Sequence, residues 1–266
     1  MPSLSLALHQ GPAGVPRTVE DGLAALDDAA RAAAAEGARL LVTPELSLTG
    51  YALGDDVAGR AEAADGPSAR AVAGIAAAHR IAVVYGYPEL DPDSGALYNS
   101  AALVGPDGTP LAGYRKTHLY GDYERRHFTP GDRLVVQADL DGVRLGLLIC
   151  YDVEFPEAVR AHALAGTELL VVPTALMRPY DVVAETLLPA RAWENQLYVA
   201  YANRVGREGE FDFAGLSCLA APDGTVPARG GREPELLTAR IDSGLPHASR
   251  AQNSYLTDRR PELYTA

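Results

Sequence analysis

Three residues far apart in the chain carry reactive groups at the ends of apolar runs. Glu45 follows "LLVTP", Lys116 follows "LAGYR", and Cys150 ends "RLGLLI". A carboxylate, an ammonium and a thiol together suit acyl transfer through a cysteine nucleophile. A free thiol titrates at about 8.5, so only a few per cent is thiolate at neutral pH. A neighbouring carboxylate can take its proton and a neighbouring ammonium can steady the anion. The segment "EFPEAVRAHAL", with Pro156 in its first turn, reads as a helix whose N-terminus adds positive partial charge beside Cys150. The oxyanion formed on a carbonyl would be held by Lys116 and the Tyr151 backbone N–H. Losing one such donor costs about 3–4 kcal/mol of barrier. Singly, each residue also fits a duller role: a small buried thiol, a solvated Pro-Glu turn, a surface lysine.

The elements that must position these groups alternate. Strands are predicted over 4–10, 38–45 and 81–87, and helices over 17–36 and 68–80, with Thr18 as N-cap of the first. A hairpin follows around Pro106-Asp107-Gly108. The pattern then recurs: strands over 143–150, 168–175 and 197–204, helices over 154–166 and 183–196, and a hairpin around Pro222-Asp223-Gly224. Each half reads strand–helix–strand–helix–strand–hairpin, which predicts one α/β domain with an internal repeat. In open α/β sheets, sites gather where strands end, so the three reactive ends are expected to converge. Residues 244–266 are polar and aperiodic, and are expected to pack on the domain or on a partner subunit.

Composition narrows the partners. The 266 residues are 47% hydrophobic, with a formal charge of −12, and the sequence pI is about 4.9. That balance repels phosphate backbones, so nucleic acid and anionic membranes are not expected partners. Two cysteines make no disulfide framework, and "MPSLSLALHQ" lacks a basic n-region and an apolar h-region. No apolar run approaches 18 residues. A cytoplasmic location is the expectation. His9, His79, His118, His127, His162 and His247 show no metal-ligand spacing, so no metal is expected.

Three longer blocks raise the odds. "TPELSLTGY" (43–51), "YRKTHLYGDYE" (114–124) and "LLICYDVEFPE" (147–157) resemble the signature blocks of the nitrilase superfamily, the carbon–nitrogen hydrolases, in order and spacing. The likeness runs over about residues 4–243. "VPTALMRPYD", "ARAWENQLYVAYANR" and "YLTDRRPELY" resemble its aliphatic amidase branch, 5-aminopentanamidases and R-stereoselective amidases in particular. The resemblance implies a four-layer αββα sandwich and a homodimer or higher homo-oligomer. It implies Glu45 as general base, Lys116 as the lysine of the tetrahedral intermediate and Cys150 as nucleophile, with Glu124 as a fourth member that positions lysine and substrate. No cofactor is implied.

The expected reaction is hydrolysis of a small aliphatic carboxamide through a Cys150 thioester. The candidate pocket comprises Tyr51, Tyr120, Tyr151, Glu154, Ala175, Leu176 and Trp193, besides Glu124. A cationic ω-amino or ω-guanidino chain would want an acid there, from Glu124, Glu154 or Asp181. Rival readings are a nitrilase, an N-carbamoyl-amine hydrolase and a non-catalytic binding protein of the same fold. Asp152 and Glu157 are expected to bond loop or helix N–H groups, His118 to support the reactive residues from behind or to be structural, and Cys218 to be a buried strand cysteine.

Overall fold

The structure, a computed structural model, describes residues 2–16 and 18–264. Position 17, where the first helix was expected to begin, and positions 265–266 of the tail lie outside them. Strands β1 (Ser3–Gln10), β2 (Leu40–Val42), β3 (Ala82–Leu90), β4 (Leu97–Val104) and β5 (Pro110–Arg115) come first. Then follow β6 (Gln137–Leu140), β7 (Val143–Leu147), β8 (Leu169–Pro173) and β9 (Tyr198–Ala202). A ribbon of β10 (Val205–Glu208) and β11 (Phe211–Ala214) precedes β12 (Cys218–Ala220), β13 (Ala228–Arg229) and β14 (Glu235–Asp242). The helices are α1 (Val19–Ala35), α2 (Val57–Arg60), α3 (Pro67–His79), α4 (Gly121–His127), α5 (Pro156–Leu164), α6 (Leu188–Asn195) and α7 (Gly244–Gln252).

Two six-stranded sheets run β14-β1-β2-β3-β4-β5 and β13-β12-β9-β8-β7-β6. In each, three parallel strands stand at the centre: β1, β2 and β3 in one, β7, β8 and β9 in the other. An antiparallel strand flanks them on one side, and an antiparallel pair on the other. The internal repeat read from the sequence is therefore present at the level of topology.

Period-two alternation assigns the faces. Leu4, Leu6 and Leu8 of β1 turn toward the second sheet, joining Leu145, Leu147 and Val171 in one core. Ala7 turns the other way with Leu41 and Val83, under Leu26, Ala30 and Ala33 of α1 and Val72 and Ala76 of α3. Helices α5 and α6 pack side by side on the second sheet. Four layers result, αββα. Thr18 caps α1: its Oγ1 accepts from the Asp21 N–H at 3.2 Å, while Asp21 accepts from the Thr18 N–H.

Several expected elements end early for local reasons. β2 stops at Val42 because Pro44 lacks a donor and Leu46 takes φ +50°. β7 stops at Leu147, and Cys150 sits at φ +47°. β3 instead runs through Pro88. Its pairing with β2 ends at Val84, so the missing N–H breaks no ladder there. The expected helix 183–196 opens as a wide π turn, Val183–Leu187, before α6. Pro189, which has no N–H to give, sits in the first turn of α6. The aperiodic tail contains a helix, α7, and lies along α6: Gln196 Nε2 donates to the Asn253 carbonyl at 2.8 Å. Among the described residues, no helix is long and apolar enough to cross a membrane.

Candidate active site

The three reactive residues occupy the chain just beyond β2, β5 and β7, at one end of the facing sheets. Glu45 lies on the turn after β2, fully buried. Its N–H donates to the Thr174 carbonyl beyond β8 at 3.2 Å, which ties the two sheets together at the site. Gly86 makes room for this turn, since a Cβ there would stand 2.3 Å from the Leu46 nitrogen. Lys116 directly follows β5, also fully buried, with its N–H on the Asn99 carbonyl at 2.8 Å.

The lysine binds both carboxylates. Its Nζ donates to Glu45 Oε1 at 2.7 Å and to Glu124 Oε1 at 2.6 Å. An ammonium has three N–H groups, so one remains for a substrate oxygen. Burial opposes the lysine's charge, but Glu124 and Glu45 outweigh it and lift its pKa well above the ordinary range. Glu45 Oε1 also accepts from Asn99 Nδ2 at 2.6 Å, whereas Glu45 Oε2 is buried without a hydrogen-bond partner. That oxygen is free to accept a proton.

Glu124, on α4, is held from three sides. Besides Lys116, Tyr51 Oη donates to Oε1 and the Tyr120 N–H to Oε2, each at 2.8 Å. Burial lifts its carboxyl to about 7, against the pull of Lys116 and with the push of Glu45. The cluster thus holds one cation between two acids, and the excess negative charge falls on a site with little water to screen it.

Cys150 opens a short 3₁₀ turn, Cys150–Glu154. The expected helix start lies further on, because α5 begins only at Pro156. The Tyr151 N–H stands at the first turn, where amides lack intrahelical partners. Burial and the charge of Glu45 push the thiol pKa well up, and Lys116 pulls against them. At rest the sulfur is therefore a thiol, and its proton must leave as it attacks. A positive φ at a non-glycine residue is costly and marks an over-determined position. The surroundings supply that determination. Asp152 Oδ2 accepts from the Ile149 N–H at 3.1 Å and Tyr114 Oη at 2.9 Å, and Oδ1 from the His118 N–H at 2.8 Å. Arg191 of α6 donates to the Val153 and Glu154 carbonyls at 3.2 and 2.7 Å. His118 stacks on Phe155 at 4.0 Å. Glu157 is exposed on α5, and Cys218 is buried in β12.

A pocket of about 120 Å³ opens onto Cys150, walled by Tyr120, Tyr151, Glu154, Ala175, Leu176, Met177 and Tyr180. Five of the seven expected pocket residues therefore stand at its wall. Glu154 is its one acid, half-buried, with burial raising its pKa against the pull of Lys116 and Arg191. Two candidates stand elsewhere. Trp193 is 39% exposed and donates to Tyr255 Oη at 3.3 Å. Its neighbour Ala192 takes the buried face of α6, which turns Trp193 outward about 100° around the helix. Tyr51 lies off the pocket wall with its hydroxyl on Glu124, stacked on Tyr123 at 5.6 Å and edge-on to Phe211 and Phe213. Asp181 is engaged by Arg232 at 2.7 Å, outside the pocket wall. Met177 and Tyr180 were missed, as was Asn99. The first two sit in the segment "TALMRPYD", and only the bend of that loop brings them back over Cys150.

The family model of the carbon-nitrogen hydrolases matches residues 5–250. A protein of Pseudomonas protegens, described as a hydrolase in the pqqF 5' region, is 48% identical over 263 residues, 98% of this chain and 91% of its own. An (R)-stereoselective amidase of a Pseudomonas species is 41% identical over 222 residues, 83% of this chain and 79% of its own. The solved structure of a cysteine-to-alanine variant of a Nesterenkonia amidase, in complex with butyramide, matches with a TM-score of 0.86 at 38% identity. It covers 98% of this chain and 95% of that one. A glutamate-to-glutamine variant of the same enzyme carries the acetamide moiety of fluoroacetamide bonded covalently to its active-site cysteine.

Proposed function

The chain belongs to the carbon–nitrogen hydrolase family, and from that premise we propose that it hydrolyses small aliphatic carboxamides to carboxylate and ammonia through a thioester on Cys150. The observation that carries this reading is the free third N–H of Lys116 beside a proton-accepting oxygen of Glu45, with both charges acting on the Cys150 thiol at the floor of a pocket. Sγ attacks the amide carbonyl as its proton passes to Glu45. The oxyanion is held by Lys116 Nζ and the Tyr151 N–H. Glu45 returns the proton to the leaving nitrogen, the C–N bond breaks, and ammonia departs. Glu45 then takes a proton from water, whose oxygen attacks the thioester, and the acid leaves with the thiol restored.

Glu154 favours a chain bearing a cation. Among the residues of the pocket wall it is the one carboxylate, and burial presses it toward neutrality, a pressure that an ω-ammonium or ω-guanidinium would relieve. Tyr120, Tyr151 and Tyr180 offer aromatic faces to the same cation.

Purified protein incubated with butyramide is expected to release ammonia, with Cys150→Ala inactive and butyronitrile untouched. Turnover of butyronitrile, or carbon dioxide from carbamoyl amines in place of ammonia from amides, would redirect the reading within the family. Undiminished activity of Cys150→Ala would remove it. For the chain, 5-aminopentanamide is expected to exceed pentanamide in kcat/KM, and equal values would argue against the cation.

A further inference from the structure

We infer that a buried ion pair outside the pocket, Arg204 with Glu208, sets the position of the catalytic carboxylates. Arg204 follows β9 and is 4% exposed; Glu208 ends β10 and is 3% exposed. Neither lines the pocket at Cys150. The guanidinium makes two bonds of different purpose. Nη1 donates to Glu208 Oε1, and Nη2 donates to the backbone carbonyl of Glu45. Glu208 in turn accepts three backbone N–H groups, from Gly14 at 3.0 Å, Tyr51 at 2.8 Å and Ala52 at 3.1 Å. Arg204 and the surrounding N–H groups hold the Glu208 carboxyl below its ordinary range despite its burial, so the pair is charged.

The two ends of this pair reach the two acids that grip Lys116. One end fixes Glu45 through its own peptide. The other fixes the Tyr51 backbone, and Tyr51 Oη bonds Glu124 Oε1. A single clamp thus sets both walls of the lysine's seat, from a segment of chain that carries no reacting group. Buried ion pairs add little net stability against apolar replacements, whereas a fixed geometry at reacting atoms is worth much in rate. Arg204 and Glu208 are positioning residues, since neither touches the pocket.

The inference rests on the proposed amidase reaction, so the test includes a readout that needs no amide hydrolysis. Arg204→Met, Arg204→Lys and Glu208→Gln are measured for kcat and KM on butyramide, for thermal midpoint, and for the rate of Cys150 alkylation by iodoacetamide at neutral pH, mapped by peptide mass. Arg204→Met is expected to lower kcat about 100-fold with KM little changed, the cost of a misplaced catalytic group. Alkylation should slow in parallel, because the buried thiol, protonated at rest, loses the carboxylate that takes its proton as the sulfur attacks. Arg204→Lys should recover part of both rates, since an ammonium can hold the Glu45 carbonyl but not both partners. Glu208→Gln, which keeps an acceptor and the shape, should fold and lose about tenfold in kcat. Folded Arg204→Met or Glu208→Gln with unchanged kcat and unchanged alkylation overturns the inference. So does a loss that only tracks the fraction folded. If butyramide is not a substrate at all, slowed alkylation still supports the clamp and unslowed alkylation still refutes it.

Discussion

Glu124→Gln is expected to lower kcat about a hundredfold while leaving KM almost unchanged. Glu124 takes one of the three N–H groups of Lys116 at 2.6 Å, opposite Glu45 at 2.7 Å. Removing the charge weakens a charge-assisted bond worth roughly 1.5–3 kcal/mol. The lysine then leans on Glu45, and its third N–H no longer aims at the oxyanion. Loss of one such donor costs about 3 kcal/mol of barrier, or two orders of magnitude in rate. A glutamine amide also sets its own N–H against the Tyr120 N–H that now bonds Oε2. Stability carries an independent signature. The Glu124 carboxyl is lifted from 4.5 to about 7, chiefly by burial. A raised acid favours the fold below 4.5, and that contribution is lost as pH rises through 7, a span of about 3 kcal/mol at most. Glu124→Gln should therefore be less destabilised at pH 8 than at pH 5 relative to the parent. Steady-state kinetics on butyramide and thermal melts across that range are the assays. A kcat within twofold of the parent, or a destabilisation that grows with pH, would refute the reasoning.

Tyr51→Phe removes one bond to Glu124 but leaves its charge, so kcat should fall by less than in Glu124→Gln; an equal or larger fall would shift the role to the tyrosine. Glu154→Gln should erase the preference for 5-aminopentanamide over pentanamide, read as the ratio of kcat/KM, and leave pentanamide turnover near the parent. Cys150 in the resting protein should react with iodoacetamide at a rate that keeps climbing above the ordinary thiol range, because burial and Glu45 hold it protonated. A plateau below pH 8 would contradict that. His162, buried and lowered from 6.5 to about 4 by desolvation, should take no proton in the fold while the unfolded chain does. Stability is then lost as pH falls from 6.5 through 4, by about 3 kcal/mol, and His162→Gln should flatten that part of the profile. Light scattering should give a dimer or higher assembly, and a monomer at micromolar concentration would contradict the pairing that the family resemblance implies.

Much of this was legible because strand ends carry the chemistry. "LLVTPE", "LAGYRK" and "RLGLLIC" each join a buried strand to one reactive group, and an α/β sheet must bring such ends to one edge. What the sequence could not show was orientation after the chain leaves the strand. Trp193 has the composition of a pocket wall, but the phase of α6 turns it to Tyr255. Tyr51 follows Glu45 closely in sequence, yet its hydroxyl bonds Glu124 and its ring stays off the pocket wall. The helix read as starting at Glu154 is delayed by the 3₁₀ turn that carries Cys150. Strands β6, β10, β11 and β14 went unread. β14 lies at the edge of its sheet and β10 and β11 form a separate ribbon, and their half-exposed residues give no continuous apolar run. The Arg204–Glu208 pair was invisible for a different reason. Its partners are backbone atoms of Glu45, Gly14, Tyr51 and Ala52, which no side-chain pattern announces.

In the proposed reaction the acyl group passes through the sulfur of Cys150. Parent protein mixed with butyramide, acid-quenched within the first turnovers and digested, should show the peptide containing Cys150 heavier by a butyryl group in place of one hydrogen. The peptide containing Cys218 should be unchanged. An active parent enzyme whose Cys150 peptide never gains that mass under rapid quench would contradict it.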